Sequence, residues 1–150
     1  MKKFIFTFLA IITLTTLSGC GANQNVENNQ KEIKYADGTY RGGYIDPTQV
    51  EISFELKDGK FNSVKFRKLS YNGENYLKSE DTIITSISSQ YLDLANYLVG
   101  KELSALADLY TPANITNDID GFTAATLRSA KIISAINDGL NRGLYALPKE

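Results

Sequence analysis

The residues best suited to chemistry stand together in one short stretch, residues 118–129. It contains an acid, Asp120, two threonine hydroxyls, Thr123 and Thr126, and a cation, Arg128. Apolar residues at helical spacing follow, so the pattern predicts a helix that starts near Thr123. The first N–H groups of a helix lack partners within the helix and attract an anion. The alternative is purely structural, because Thr123 is an ordinary N-cap residue and Ala-Ala-Thr is ordinary helix sequence.

Composition removes most classes of catalytic site. The chain of 150 residues has no histidine and a single cysteine, Cys20. Ser-His-Asp and Cys-His catalysis, the usual zinc sites and histidine-ligated haem all need residues that the sequence lacks. Aspartate and glutamate are present, but no pair has a spacing that indicates hydrolysis. The formal net charge is −1, and no basic segment favours nucleic acid.

The single cysteine follows an N-terminal leader. A short positive region and an apolar run precede Leu17-Ser18-Gly19-Cys20. This layout predicts a signal peptide over residues 1–19, because the apolar run is short for a hydrocarbon core of about 30 Å. The tetrapeptide resembles the lipobox of bacterial lipoproteins. A chance cysteine in an ordinary secretory signal is the alternative.

The lipobox resemblance implies a lipid anchor. The thiol of Cys20 would take a diacylglyceryl group, cleavage would make Cys20 the new N-terminus, and its amine often gains an acyl chain such as palmitate. Two or more chains anchor stably, because each buried CH₂ contributes about 0.8 kcal/mol. The expected location is therefore the cell membrane, with the protein lipid-anchored on the extracytoplasmic face. Residues 20–35 are polar and rich in Asn and Gln, which predicts a flexible tether.

Residues 36–150 are predicted to form one small domain that begins with antiparallel strands. Apolar and polar residues alternate over 50–57, a turn follows at Asp58-Gly59, and apolar residues resume at Phe61. This pattern indicates a hairpin with one buried face. Residues 37–44 predict an earlier strand that enters a glycine-permitted bend, with Asp46-Pro47 as the connection. Asn72-Gly73 predicts a further turn.

Helices are predicted for the second half of this domain. Apolar residues recur at helical spacing from Asp81 to Gly100, and a shorter run ends at Pro112. The last helix is predicted from near Thr123 to near Gly143. Its apolar stripe is predicted to contain Leu127, Ala130, Ile133, Ile136 and Leu140. The tyrosine and leucine stripes between Asp81 and Pro112 are interpreted as core. Strands followed by helices predict an α+β fold, with the last helix carrying the candidate motif at its N-terminus.

The candidate motif resembles that of the FMN-binding domain family. This family occurs in flavoprotein subunits of sodium-pumping quinone reductase, in related ferredoxin-oxidising membrane complexes and in small exported lipoproteins. Its pattern is Asp, two intervening residues, Ser or Thr, Gly, Ala and Thr, followed by a helix that ends in an Asn-Asp-Ala-Leu-like run. The matching positions here are Asp120, Thr123, Ala125, Thr126 and Asn137-Asp138-Gly139-Leu140.

The resemblance extends over most of residues 36–142. The opening Asp37-Gly38-Thr39-Tyr40 and the hairpin over residues 57–60 are similar to the first strands of the family. Two positions depart from the motif. Ala124 stands where the family usually has Gly, and Arg128 stands where it often has a second Thr or Ser.

The resemblance implies covalently bound FMN. In members with the complete motif, a separate flavin transferase uses FAD and a divalent metal to attach FMN through its phosphate to the motif threonine, here Thr126. Arg128 could contact the phosphate, or it could face water. Asp120 would order the loop or take part in recognition by the transferase. Thr123, Ala124 and Ala125 complete the predicted cofactor-binding set.

Two functions stay open on the sequence alone. In the first, the domain carries electrons between a membrane quinone or flavoprotein system and an extracytoplasmic acceptor, and the isoalloxazine does the redox chemistry. In the second, the fold is kept without a cofactor, as a surface lipoprotein that binds a partner or a small ligand. Visible absorbance of the purified protein distinguishes them.

Overall fold

A computed structural model describes residues 34–116 and 122–146, without the side chains of Phe122 and Thr123. The predicted signal peptide, Cys20, most of the predicted tether and Asp120 lie outside the described residues. The described residues all belong to one compact unit. Strands come first and helices follow, so the predicted α+β fold is confirmed.

The strands form an antiparallel sheet in sequential order. They are β1 (Gly38–Ile45), β2 (Thr48–Lys57), β3 (Lys60–Tyr71) and β4 (Glu74–Asn75). The turn Asp58-Gly59 joins β2 to β3 with φ of 52° and 75°, and Asn72-Gly73 joins β3 to β4 with φ of 47° and 86°. Two successive residues at positive φ are typical of tight hairpin turns, which Asn-Gly and Asp-Gly favour. Both predicted turns are confirmed.

The strand predicted over residues 37–44 is confirmed as β1, but the chain does not bend at its glycines. Both glycines lie inside β1, where Gly42 is opposite Ile52 and Gly43 is opposite Glu51 of β2. The chain turns later, at the predicted Asp46-Pro47 connection. A turn in the chain therefore does not explain why glycine occupies these two positions.

Two α-helices and two short 3₁₀ helices follow the sheet. They are α1 (Thr82–Leu98), the 3₁₀ helices Leu103–Tyr110 and Pro112–Asn114, and α2 (Phe122–Arg142). The carboxylate of Asp81 caps α1, since it accepts hydrogen bonds from the N–H groups of Ile83 and Ile84 at 2.8 and 3.1 Å. Gly143, at φ 82°, ends α2 and donates its N–H to the carbonyl of Gly139 at 3.1 Å. No helix in the described ranges has the length and apolar character of a membrane span.

The core lies between one face of the sheet and the helices. Alternate side chains of β2 point to this face, while α2 lies over β1 and β2 and α1 lies over β3. The largest fully buried apolar side chains come from all of these elements: Tyr40, Phe54, Phe61, Ile52, Leu69, Leu94, Leu98, Leu109, Ile132, Ile136 and Val50. The opposite face of the sheet has no helix over it in the described part of the chain.

The apolar stripe of α2 differs from the predicted one at two positions. Leu127 is 59% exposed and Ala130 is exposed, whereas Ile133, Ile136 and Leu140 are buried as predicted. The buried face turns instead through Ala125, Ser129, Ile132 and Ile136. Serine is tolerated there because its hydroxyl donates to the carbonyl of Thr126 at 2.9 Å.

The C-terminal half of α2 contacts the backbone of β1 directly. A Cβ atom on Gly42 would lie 2.0 Å from a backbone oxygen of α2, and one on Gly139 would lie 2.8 Å from the ring of Phe54. The carboxylate of Asp138 accepts a hydrogen bond from the N–H of Gly43 at 2.8 Å. The absence of side chains at the two contacting glycines therefore lets helix and strand meet, and Asp138 fixes their register.

Candidate functional site

A pocket opens beside the N-terminal half of α2. Its volume is about 410 Å³, within the range of roughly 300–1,000 Å³ that small-molecule sites occupy. Strands, α1 and α2 all contribute to its wall, and we call it the tyrosine pocket. The lining residues are Tyr44, Asp46, Thr48, Tyr71, Tyr76, Ile87, Tyr91, Ala124, Leu127, Arg128, Ala130, Lys131 and Ser134.

Four tyrosines give the pocket an aromatic wall. Tyr91 is buried and packs edge-on against Phe66, with ring centroids 6.0 Å apart. Burial raises the pKa of Tyr91 and of Tyr76, and a hydrogen bond to Asp46 raises the pKa of Tyr44. These phenols are therefore neutral at physiological pH. The pocket tyrosines thus contribute aromatic surface and hydroxyl groups that can form hydrogen bonds.

An ion pair forms the polar part of the same wall. The ammonium of Lys131 lies 2.9 and 3.1 Å from the two carboxylate oxygens of Asp46 and donates to the hydroxyl of Thr48 at 2.7 Å. The hydrogen bond from Lys131 holds the pKa of Asp46 below its usual value, although desolvation opposes it. Because Asp46 also accepts from the N–H of Thr48, the pair is anchored to the start of β2.

Arg128 connects the two α-helices at the pocket wall. Its guanidinium donates a hydrogen bond to the side-chain oxygen of Gln90, which is buried on α1. The side chain of Arg128 is half-buried and lines the pocket instead of extending into water. Together with the tyrosines and Lys131, it makes the pocket suitable for a flat aromatic ligand that also carries an anionic group.

The structure brings together only part of the predicted site. Ala124 and Arg128, the two departures from the motif, both line the pocket, while Ala125 is buried in the core at 1% exposure. Thr126 is half-buried and does not line the pocket. It lies at the margin, because Ala130 lines the pocket and is roughly 40° away around a helix of 3.6 residues per turn.

The start of α2 corrects two details. The helix begins at Phe122, so Thr123 lies inside the first turn and is not the N-cap residue. Thr126 is then one full turn into the helix instead of in its first turn. Ala124 has no positive φ, so its methyl group strains no backbone. Asp120 lies outside the described residues, and the predicted parts of Thr123, Thr126 and Asp120 in cofactor binding stay predictions.

Most of the pocket was not predictable from spacing. Tyr44, Asp46, Tyr71, Tyr76 and Lys131 come from segments far apart in the sequence, and no motif links them. The one available signal was composition, since the chain has nine tyrosines and no tryptophan. That signal indicates aromatic binding surface without locating it. The described residues include no group of three or more potential metal-ligating side chains.

Comparison with known proteins agrees with this geometry. The sequence profile described as the FMN-binding domain matches residues 43–141, which include the tyrosine pocket and nearly all of α2. No curated protein matches the chain. Because the profile match covers more than half of the sequence, the chain belongs to the FMN-binding domain family, and its cofactor is FMN.

Proposed function

We propose that this protein is a lipid-anchored flavoprotein that transfers electrons on the extracytoplasmic face of a bacterial membrane. Its FMN is attached by a flavin transferase, through the phosphate, to Thr126. The tyrosine pocket holds the isoalloxazine ring. The observation that carries the proposal is the position of an aromatic, cation-bearing pocket against the helix that contains the flavin motif.

The chemistry of the pocket wall fits the parts of FMN. Tyr71 and Tyr76 contribute aromatic surface that suits a flat ring system, and Leu127 adds apolar surface. Hydroxyl groups and the Lys131–Asp46 pair suit the polar ribityl chain and the ring edge. When bound, FMN supplies the redox chemistry, so the residues are needed to bind, orient and exclude water.

The position of Thr126 suits an ester at the margin of this pocket. Side chains on a helix lean toward its N-terminus, so the hydroxyl of Thr126 lies over the first turn of α2. The N–H groups of that turn lack partners within the helix and attract phosphate. Ala124, Leu127 and Ala130 of the same helix line the pocket, so FMN attached at Thr126 would be able to extend into it toward the tyrosines.

Co-expression with a flavin transferase tests the attachment site. Wild-type protein should gain the mass of one FMN less one water and should show in-gel flavin fluorescence after denaturation. Thr126→Ala should show neither, because it removes the ester oxygen. Thr123→Ala is the matched control and should keep its covalent flavin. Covalent flavin on Thr126→Ala would reject the site, and colourless wild type with an active transferase would reject covalent attachment altogether.

The membrane anchor rests on the leader and on Leu17-Ser18-Gly19-Cys20. Lipid on Cys20 would keep the domain at the membrane, with residues 20–35 as the tether. Cys20→Ala should yield a soluble or unprocessed product in cell fractionation, with Ser18→Ala as a control that keeps the cysteine. Normal processing of Cys20→Ala, together with membrane binding that survives alkaline washing, would reject this part of the proposal.

A further inference from the structure

A second hollow lies beside β1, the edge strand of the sheet, near the end of α2. Its volume is about 200 Å³, and three arginines from three elements line it: Arg41 of β1, Arg67 of β3 and Arg142 at the end of α2. Gly43 and Glu51 also line it. We call this site the arginine hollow. Side chains alternate along a strand, so Arg41 and Glu51 point away from the core that Tyr40 and Val50 enter.

Much of the positive charge in the arginine hollow is not neutralised by the described residues. Arg142 pairs with Asp138 at 2.9 Å. Within the described ranges neither Arg41 nor Arg67 has a carboxylate within 4.0 Å, even though Glu51 lines the same hollow. The guanidinium of Arg41 is held 3.4 Å from the ring centroid of Tyr145, and its buried Nε has no hydrogen-bond acceptor in this part of the chain. A ligand with acceptor oxygens would complete these contacts.

Gly43 lines the hollow with backbone only. The fold does not require glycine at this position. Its φ is not in the left-handed region, and a Cβ atom there would make only ordinary contacts, 3.6 Å from the carbonyl oxygen of Val50 and 3.8 Å from Glu51. This differs from Gly42, whose Cβ would collide with α2. Because Gly43 lines the hollow, a side chain at this position would fill part of the space that a ligand could occupy.

We propose that the arginine hollow binds a phosphate group, carried either by a small solute or by the head group of a membrane lipid. Guanidinium groups donate paired N–H bonds to oxyanions, and phosphate accepts such pairs from several directions at once. Three arginines from three elements can contact a phosphate from several sides, whereas a carboxylate has only two oxygens to accept their hydrogen bonds. The site is separate from the tyrosine pocket and does not depend on the flavin.

Phosphate titration of the full chain, held in a neutral detergent and followed by ³¹P NMR at constant ionic strength, tests the proposal. Arg67→Gln should weaken binding of inorganic phosphate about ten-fold, because it removes a charged donor. Gly43→Ala should weaken binding to a similar extent by filling the floor. Lys57→Gln, which removes an exposed cation at the far end of β2, is the charge-matched control and should leave binding unchanged.

A second arm replaces inorganic phosphate with glycerophosphoglycerol, the soluble head group of phosphatidylglycerol. Tighter binding of this head group than of inorganic phosphate assigns the site to a lipid, and the reverse order assigns it to a small solute. Absence of binding in both arms overturns the proposal. So does binding that Arg67→Gln and Gly43→Ala leave unchanged, since the phosphate would then occupy another site.

Discussion

The two halves of α2 meet the rest of the domain in different ways. In the C-terminal half, Gly139 brings the helix onto the backbone of β1 at Gly42, and Asp138 holds the N–H of Gly43. In the N-terminal half, Leu127 and Lys131 line a pocket of about 410 Å³. One half of the helix therefore fixes its position, and the other half uses that position to form a binding site.

This division gives a structural reason for the Asn-Asp-Gly-Leu run near the end of α2. The predicted family run at residues 137–140 lies in the contacting half, where Asp138 and Gly139 have structural partners on β1 and β2. The described part of the motif, from Ala124 to Arg128, lies in the half that borders the pocket. Substitutions in the two halves should separate stability from flavin binding.

The largest effect is expected for Gly42→Ala. The added Cβ would lie 2.0 Å from a backbone oxygen that cannot rotate away, so the whole helix must shift. We expect the free energy of unfolding to fall by about 3 kcal/mol. Gly43→Ala, one residue along the same strand, should change it by less than about 1 kcal/mol. Urea unfolding followed by circular dichroism measures both, and equal midpoints would contradict the tight contact.

A smaller loss is expected for Asp138→Ala. The substitution leaves the N–H of Gly43 without its acceptor and removes the partner of Arg142. We expect a loss of about 1–2 kcal/mol in the same unfolding measurement. Asp138→Asn keeps an acceptor oxygen and should lose less. If the asparagine and alanine variants are equally destabilised, the hydrogen bond to Gly43 is not the important contact.

The same comparison shows which parts of the structure the sequence could predict. Asp58-Gly59 and Asn72-Gly73 form their turns through their own backbone preferences, so local sequence was sufficient. The glycines of β1 suggest a bend from sequence alone. Gly42 instead makes room for α2, a helix from the far end of the sequence, and local sequence does not show that contact.

The pocket shows the same limit. Helical periodicity predicts Leu127 in the apolar stripe of α2, because periodicity does not distinguish a pocket wall from a buried face. The tyrosines of the pocket were missed as a group because only the tertiary fold brings their segments together. The motif could therefore be recognised from sequence, but the surface that accompanies it could not.

At low pH the ion pair between Lys131 and Asp46 should contribute less to the stability of the fold. The folded pKa of Asp46 lies below its ordinary value because of Lys131, so the pair contributes stability that is present above about pH 4. That contribution is lost as the pH falls through the folded pKa. The difference in unfolding free energy between wild type and Asp46→Asn should shrink as the pH is lowered from neutrality. Urea unfolding at several pH values measures it, and a difference independent of pH would show that the pair does not titrate with folding.

The smallest effect on stability is expected for Leu127→Asn, in the pocket-lining half of α2. Leu127 is already 59% exposed, so the free energy of unfolding should change by no more than about 0.5 kcal/mol. Because Leu127 lines the tyrosine pocket, the loss of apolar contact should still weaken FMN binding by roughly three- to ten-fold. Quenching of FMN fluorescence measures this affinity in a Thr126→Ala background, where no covalent bond can form. Ile83→Asn is the matched control, since Ile83 is 67% exposed and does not line the pocket, and it should change neither quantity.

A loss of stability in Leu127→Asn as large as that of Asp138→Ala would mean that both halves of α2 are structural. Unchanged FMN affinity with unchanged stability would instead move the isoalloxazine away from this wall of the pocket.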